Sequence, residues 1–216
     1  MNKDTVVVVT GGTVEESVLS MLMGQYKGAY VIGVDRGLDT LEKFKIKPDL
    51  AVGDFDSASE QTKIAYENFE HVIKLNPMKD YTDTHVAVEQ ALLRRPSQII
   101  LVGATGTRFD HMQGNLALLK LCRMSGIEAV IYDSHNKIRM IDRMLTLYKK
   151  TQYGKYISLI PYSDTVKGIN LTGFLYNLQD ATMIKEETLG ISNEMREEEC
   201  RITIEDGYLL VMETKD

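Results

Sequence analysis

The sequence has few of the residues that mark secreted, fibrous or metal-clustered proteins. Its 216 residues include two cysteines, Cys122 and Cys200, and no tryptophan. Two cysteines so far apart form neither a disulfide framework nor a CxxC metal pair, which favours a reducing compartment. The four prolines and sixteen glycines follow no period, which excludes collagen-like and low-complexity chains.

Long apolar runs and an excess of basic residues are also missing. Runs such as Val6–Val9 are far shorter than the ~18 residues of a membrane span, and the first apolar stretch is too short for a signal peptide. We therefore expect a cytoplasmic protein. With 25 Lys and Arg against 31 Asp and Glu, the formal net charge is −6, which disfavours a nucleic-acid-binding protein.

The residues that are present predict a globular protein of one large or two small domains, at ~100–200 residues per domain. Up to about residue 133, short apolar runs alternate with amphipathic stretches, which is typical of a mostly parallel sheet covered by helices on both faces. Ser57 and Glu60 have the spacing of a capping box. The predicted strands are Thr5–Thr10, Tyr30–Val34, His71–Leu75, Gln98–Val102 and Ala129–Tyr132; the predicted helices begin near Val14 and at Leu38, Ser57, Thr82 and Asp110.

From about residue 137 the pattern changes to short strands separated by turn residues. Asp206-Gly207 lies between two alternating runs and predicts a tight hairpin. The fold class predicted is thus α/β, with an N-terminal mostly parallel α/β domain over residues 1–135 and a C-terminal antiparallel β-sandwich domain over 136–216. The predicted C-terminal strands are Lys137–Ile141, Leu145–Lys149, Tyr156–Pro161, Thr165–Ile169, Arg201–Glu205 and Tyr208–Glu213.

Aspartates are concentrated in three loops, two of which follow predicted strands and one of which follows a short apolar pair. In open α/β sheets, ligands bind beyond the carboxyl ends of the strands, where such loops meet. Carboxylates crowded into one crevice repel each other unless a cation is present, and Mg²⁺ prefers oxygen ligands. Arg108, in the third loop, supplies a planar fork of donors suited to phosphate. The combination predicts phosphoryl chemistry. The aspartates are Asp54, Asp56, Asp80, Asp83 and Asp110.

Simpler interpretations of these residues stay open. Asp83 and Asp110 stand where a helix N-cap is expected, and an aspartate there is commonly only a cap. A metal-dependent glycosyltransferase, an aspartate-nucleophile phosphatase or a pterin diphosphokinase can also carry an Asp-x-Asp pair. A module that senses its ligand without turnover is the alternative that is not an enzyme. His111 adjoins Asp110 and either touches the ligand or supports its neighbour.

Five short motifs, in this order and spacing, resemble the thiamine pyrophosphokinase family. The resemblance extends from the first strand to the C-terminal domain. The motifs are Val34-Asp35-Arg36-Gly37, Pro48-Asp49 with Gly53-Asp54-Phe55-Asp56-Ser57, Asp80-Tyr81-Thr82-Asp83, Gly103 to Arg108-Phe109-Asp110-His111, and Gly190-Ile191-Ser192-Asn193-Glu194.

The resemblance implies a Mg²⁺-dependent transfer of diphosphate from ATP to the hydroxyl of thiamine, which gives thiamine diphosphate and AMP. It implies a nucleotide-binding catalytic domain, a thiamine-binding and dimerisation domain, and a homodimer whose active sites lie at the subunit interface. The implied metal ligands are Asp54, Asp56 and Asp83, and the implied catalytic set adds Arg108 and Asp110. The implied nucleotide contacts are Asp35, Arg36, Asp80, Thr82, Thr105, Arg108 and His111, and the implied thiamine contacts are Ser192, Asn193 and Met195.

The chain departs from the family pattern at Arg36 and Thr107, where many relatives have glycine. Glycine readily adopts backbone conformations that are costly for other residues, so these two positions bear on the geometry of the loops. The alternative that is not an enzyme is then a nucleotide- or thiamine-sensing module without turnover. An assay of products separates all the alternatives, because only diphosphate transfer to thiamine releases AMP in a thiamine-dependent way.

Overall fold

The computed structural model describes residues 4–67, 69–76 and 80–216. The chain forms two compact units, Met1–Ser134 and His135–Asp216. The first unit combines a parallel sheet with helices, and the second consists of antiparallel strands, so the predicted fold class is confirmed.

The sheet of the first unit is parallel, with strands in the order β6-β5-β1-β2-β3-β4. Its central strand β1 is completely buried from Val6 to Val9, as expected for a parallel strand covered on both faces. β3 was not predicted, because its apolar core is only a few residues long. The strands are β1 (Thr5–Val9), β2 (Tyr30–Val34), β3 (Leu50–Gly53), β4 (Val72–Lys74), β5 (Gln98–Val102) and β6 (Glu128–Tyr132).

Hydroxyl side chains cap two helices of this unit. Thr82 caps one helix, because its Oγ1 accepts the N–H of His85 at 3.2 Å. The capping box at Ser57 is wrong: Ser59 is the cap, with its Oγ accepting the N–H of Thr62 at 3.2 Å. The helices are α1 (Glu16–Gln25), α2 (Gly37–Lys43), α3 (Glu60–Glu67), α4 (Asp83–Leu93) and α5 (Phe109–Met124). Over the described ranges, no helix combines the length and apolar character that crossing a membrane requires.

The second unit is a sandwich of two antiparallel sheets, with strand orders β12-β9-β14-β7 and β11-β10-β13-β8. Buried side chains from both sheets, such as Leu159, Val211, Ile169 and Ile202, form its core. The strands are β7 (Asn136–Ile141), β8 (Met144–Tyr148), β9 (Tyr156–Pro161), β10 (Thr165–Thr172), β11 (Leu178–Ile184), β12 (Asn193–Glu194), β13 (Glu199–Thr203) and β14 (Leu209–Thr214); Lys149–Thr151 is a 3-10 helix.

The predicted hairpin at Asp206-Gly207 is wrong. β13 pairs with β8 and β10, whereas β14 pairs with β7 and β9, so this turn carries the chain from one sheet to the other. The favoured two-residue hairpin turn needs positive φ at both central residues, but only Gly207, at +95°, has it. Asp206 instead forms a bridge with Lys167 of β10.

Candidate active site

A cavity of about 280 Å³ lies at the carboxyl ends of the parallel strands in the first unit. Loops that are distant in sequence line it, as the rule for open α/β sheets requires. The lining consists of Thr10–Gly12 after β1, Val34–Arg36 after β2, Ser57, Thr82–Thr84 at the start of α4, Gly103–Arg108 after β5, and His111, Met112 and Asn115 on α5.

The loops after β1 and β5 are held in direct backbone contact. The N–H of Gly12 donates to the carbonyl of Gly103 at 3.0 Å, and Thr10 Oγ1 donates to the same carbonyl. A Cβ on Gly12 would lie 2.2 Å from that oxygen, so this approach requires glycine. From α5, Asn115 Nδ2 donates to the carbonyl of Ala104 at 2.7 Å. The floor of the cavity is therefore fixed before any ligand binds.

Asp35 is the carboxylate that the fold perturbs most at this cavity. Its backbone is left-handed, with φ at 45°, and its Oδ1 accepts the N–H of Phe55 at 3.3 Å. Burial, with the negative charge of Asp83 and a smaller contribution from Asp54, raises the pKa of Asp35 to about 7. A hydrogen bond also joins the Asp35 and Asp83 side chains. The structure thus brings together carboxylates that follow β2, β3 and β4.

This carboxylate set fits a hard divalent cation by its chemistry. Asp35, Asp54 and Asp83 offer only oxygen atoms, and Mg²⁺ completes such sets with water and substrate phosphate oxygens. In the part of the chain that the structure describes, no three acidic, histidine or cysteine side chains already surround one point as a ligand cage. A cation at this site would therefore need oxygens from its substrate or from water as well as the protein.

Asp56 does not line the cavity of Asp35 and Asp83; with Asp54 it lines a second cavity of about 360 Å³. Its N–H donates to Asp54 Oδ1 at 3.0 Å, which shapes the turn after β3. A hydrogen bond that the Lys63 ammonium donates to Glu60 raises the pKa of Lys63, and the charge of Asp56 adds to the effect. The Asp56 carboxylate thus lies within electrostatic reach of Lys63. Its role as a metal ligand stays a prediction.

Arg108 and Asp110 form a bidentate ion pair beside the cavity. Arg108 Nε lies 3.2 Å from Asp110 Oδ1, and Nη2 lies 2.6 Å from Oδ2. This pairing with Arg108 lowers the pKa of Asp110 to about 2. The backbone N–H of His111 also donates to Asp110, at 2.9 Å. Both side chains of the pair are about two-thirds exposed, so the guanidinium fork can exchange a carboxylate for a phosphate.

Most of the other residues predicted to contact the nucleotide also lie on the cavity wall. Arg36, Thr82, Thr105 and His111 line it, whereas Asp80 is exposed and is not part of the lining. Arg36 has φ at −58°, so the position that is glycine in many relatives adopts an ordinary helical conformation here. Thr107 also lines the cavity without a positive φ.

The sequence interpretation missed Asp133, which orients a predicted nucleotide residue. Thr105 Oγ1 donates to Asp133 Oδ2 at 2.6 Å, directly beyond the end of β6. The signal that singled out the other aspartates, a carboxylate following a parallel strand, was present here too. Asn115 and Met112 were also missed, because a helix interior gives no sign of which face lines a cavity.

In the second unit, the Ser192–Met195 motif holds a turn and presents an aromatic side chain. Asn193 is 6% exposed, and its amide bonds both backbone groups of Tyr176, accepting from the N–H at 3.0 Å and donating to the carbonyl at 2.7 Å. The N–H of Ser192 donates to Ser158 Oγ at 3.1 Å. Met195 is 6% exposed and lies in the sandwich core, whereas Tyr176 is 66% exposed.

Comparisons with known proteins match both units. The family model described as "Thiamin pyrophosphokinase, catalytic domain" matches residues 25–131, and "Thiamin pyrophosphokinase, vitamin B1 binding domain" matches residues 144–209. The thiamine pyrophosphokinase of Bacillus subtilis is 34% identical over 186 residues, covering 86% of this chain and 87% of the relative.

Solved structures agree with these sequence matches. The crystal structure of thiamine pyrophosphokinase from Bacillus subtilis superposes with a TM-score of 0.88 at 33% identity, covering 98% of this chain and 99% of that one. The structure of thiamin pyrophosphokinase from Geobacillus thermodenitrificans gives a TM-score of 0.86 at 30% identity, with 98% of each chain covered.

Proposed function

Since this chain belongs to the thiamine pyrophosphokinase family, we propose that it transfers diphosphate from ATP to the hydroxyl of thiamine, releasing AMP. One observation carries the proposal beyond family membership. Asp35 and Asp83 line the same cavity as Arg108, and Asp54 lies within electrostatic reach of Asp35. Acidic oxygens for a cation beside a fork of donors for phosphate are the groups that phosphoryl transfer uses.

The reaction needs one bond formed and one bond broken at the β-phosphorus. The thiamine hydroxyl oxygen bonds to this phosphorus, and the bridging oxygen between the α- and β-phosphates leaves with AMP. The hydroxyl proton must be lost. Asp110 is a poor acceptor for this proton, because pairing with Arg108 holds its pKa at about 2.

Arg108 is the residue best suited to hold the phosphate chain. Its two donors already point to two oxygens of one carboxylate, and the same geometry fits two oxygens of a phosphate. Asp110 thus keeps the guanidinium oriented until the nucleotide binds. Arg36, Thr82, Thr105 and His111 are then the nucleotide contacts that the cavity lining supports.

Mg²⁺ is the proposed cofactor, with Asp54, Asp56 and Asp83 as its ligands and Asp35 at the same site. When bound, it would neutralise negative charge on the phosphate oxygens. The support for this assignment is the shared oxygen chemistry and the mutual repulsion of Asp35, Asp54 and Asp83 in the chain alone.

We propose that thiamine contacts the second unit through Tyr176. Thiamine carries a positively charged aromatic ring, and a tyrosine face attracts such rings. Tyr176 is exposed, whereas Met195 is buried and would have to leave the core to reach a ligand. Asn193 then acts by holding the turn, and Ser192 stays a predicted contact. The homodimer with shared active sites and the cytoplasmic location also stay predictions.

The decisive experiment is a product assay with the purified full chain. Incubation with ATP, Mg²⁺ and thiamine is expected to release AMP and thiamine diphosphate in equal amounts, and omission of thiamine or Mg²⁺ is expected to stop both. ADP as the product, or transfer to a pterin in place of thiamine, would contradict the proposal. Binding of both compounds without turnover would indicate a sensing module.

A further inference from the structure

Two carboxylates hold the two ends of the loop between β3 and α3 by hydrogen bonds. This segment, the 54–59 loop, carries Asp54. The carboxylates belong to Asp35, just before α2, and to Asp39, in the first turn of α2. At its first end, the N–H of Phe55 donates to Asp35 Oδ1 at 3.3 Å. At its far end, the N–H of Ser59 donates to both carboxylate oxygens of Asp39, at 3.1 and 3.2 Å. Two carboxylates four residues apart thus hold a loop that follows another strand.

The first end of the loop needs support, because its backbone is in a costly conformation. Phe55 has φ at 62°, in the left-handed region that side chains other than glycine rarely adopt. Gly53 must lack a Cβ, which would lie 1.9 Å from Asp35 Oδ1. Such conformations persist only where the surroundings enforce them. The path of the 54–59 loop therefore depends on its anchors.

Asp39 is held more firmly than an ordinary surface carboxylate. Thr62 Oγ1 donates to Asp39 Oδ1, and Ser59 Oγ donates to Thr62 Oγ1 at 3.0 Å. Thr62 is only 2% exposed. Burial alone would raise the pKa of Asp39, but the hydrogen bonds from Thr62 and Ser59 outweigh it and hold the pKa below its usual value. The charged form of Asp39 is therefore a stable anchor.

The contact made by Asp39 is not needed to cap α3. Ser59 already serves as the cap, because its Oγ accepts the N–H of Thr62. The Asp39 carboxylate comes from α2, twenty positions earlier in the chain. The contact instead fixes the end of the loop relative to α2. This helix begins directly after Asp35 and Arg36, which line the cavity.

We propose that Asp39 is a positioning residue for the transfer reaction: it fixes the α3 end of the 54–59 loop and thereby keeps Asp54 beside Asp35 and Asp83. Asp39 does not line the cavity and acts through Ser59 and Thr62. The proposal rests on the proposed function, because it assigns Asp39 a role in presenting the carboxylates that the reaction uses.

The test compares Asp39→Ala and Asp39→Asn with Ser59→Ala as the matched control. Ser59→Ala removes the cap, the bond to Thr62 and the side-chain hydrogen bond from Ser59 to Asp39, but keeps the backbone N–H that Asp39 binds. Two readouts do not depend on turnover: Mn²⁺ affinity by titration, and hydrogen exchange at the amides of residues 55–59. Steady-state kinetics supply the third.

Asp39→Ala is expected to weaken Mn²⁺ binding by about 10- to 100-fold, as losses of groups that orient metal ligands do. It is also expected to accelerate exchange in the 54–59 loop and to lower kcat while leaving the KM for thiamine unchanged. Asp39→Asn keeps one acceptor oxygen and should fall between Asp39→Ala and the natural chain. Ser59→Ala should lower the melting temperature but leave Mn²⁺ affinity unchanged.

Two results would overturn the positioning role. One is a folded Asp39→Ala protein with the Mn²⁺ affinity and loop exchange of the natural chain, and the other is a Ser59→Ala protein that loses as much as Asp39→Ala. If Asp39→Ala does not fold, the comparison of Asp39→Asn with Ser59→Ala decides. If the natural chain releases no AMP, the proposed function fails, while the Mn²⁺ and exchange measurements still decide what Asp39 does.

Discussion

At the scale of single residues, charge is what distinguishes the candidate site from the rest of the first unit. Burial makes ionisation of Asp35 unfavourable, and the negative charges of Asp83 and Asp54 make it less favourable still. Arg108 is the opposite case, an exposed cation already paired with Asp110. Repulsion between carboxylates lowers the stability of the protein without its ligand. We therefore expect such a cluster where a bound ligand relieves the repulsion.

Removing one of the crowded charges should therefore separate activity from stability. Asp54→Asn keeps the size of the side chain, so we expect the rate of AMP release to fall by orders of magnitude at saturating Mg²⁺. The melting temperature in EDTA should stay equal or rise, because Asp35 and Asp83 lose a like charge. Glu186→Gln, at an exposed position of the second unit, is the control and should change neither. Near-normal turnover in Asp54→Asn would contradict the metal assignment.

The guanidinium fork of Arg108 should matter more for turnover than for binding. Arg108→Lys keeps the positive charge but cannot bind two oxygens in parallel. We expect kcat to fall more than the affinity for a non-hydrolysable ATP analogue, measured by calorimetry. Arg123→Lys on the last turn of α5 is a matched substitution outside the cavity lining and should leave both unchanged. Equal losses of kcat and affinity would show that Arg108 contributes only to ground-state binding.

At the scale of elements, strand ends and turns decide which side chains meet. Parallel pairing of β1 with β2 and β5 puts the loops that follow them at one edge. In the second unit, the two-residue strand β12 pairs with β9, and the Asn193 amide ties the turn at Tyr176 to it. A short element can in this way hold an exposed aromatic ring in one place.

Two substitutions at this turn should have different consequences. Tyr176→Ala removes an exposed ring, so it should raise the KM for thiamine by about tenfold, a typical loss for a ring facing a cation, with the melting temperature unchanged. Asn193→Ala removes two hydrogen bonds of a buried amide and should lower the free energy of unfolding by about 1–3 kcal/mol. Tyr176→Phe is the control and should retain a KM close to that of the natural chain. A tyrosine-to-alanine variant with unchanged KM would exclude this ring from the thiamine site.

At the scale of the whole molecule, the proposed reaction divides between the two units. The nucleotide and metal groups belong to Met1–Ser134, and the turn presented by Asn193 belongs to His135–Asp216. The resemblance to the family implies that a second copy of the chain supplies one of these halves to each site. If the sites are shared, a mixture of two variants with defects in different units should regain activity. If each chain has a self-contained site, it should not.

Mixed dimers test whether the active sites are shared. We expect Asp54→Asn and Tyr176→Ala, each nearly inactive at low thiamine concentration, to regain activity when unfolded and refolded together. A mixed dimer would then have one site with both defects and one with neither, so activity should approach a quarter of that of the natural chain if subunits pair at random and the sites act independently. Each variant refolded alone is the control. No recovery in a mixture shown by mass spectrometry to contain mixed dimers would exclude shared sites.

The sequence by itself determined the fold class, most elements of the first unit and the strand-end position of the candidate site. Short apolar runs and helix periodicity are local signals, so strands such as Tyr30–Val34 and Gln98–Val102 were predicted with the bounds that the structure has. The cavity could be expected because parallel strands must end at a common edge. Short elements such as β3 and β12 carry too few residues to show a period.

Only the tertiary structure decided which side chains share an environment. The Asp206-Gly207 turn had the local signal of a hairpin, but burial on two facing sheets and the pairing of β14 with β7 and β9 overrode it. Whether Met195 is a core side chain or a ligand contact, and whether Asp39 holds Ser59 at the end of a distant loop, depends on contacts between residues distant in the chain. No local pattern encodes such contacts, because they are set by how sheets and helices pack.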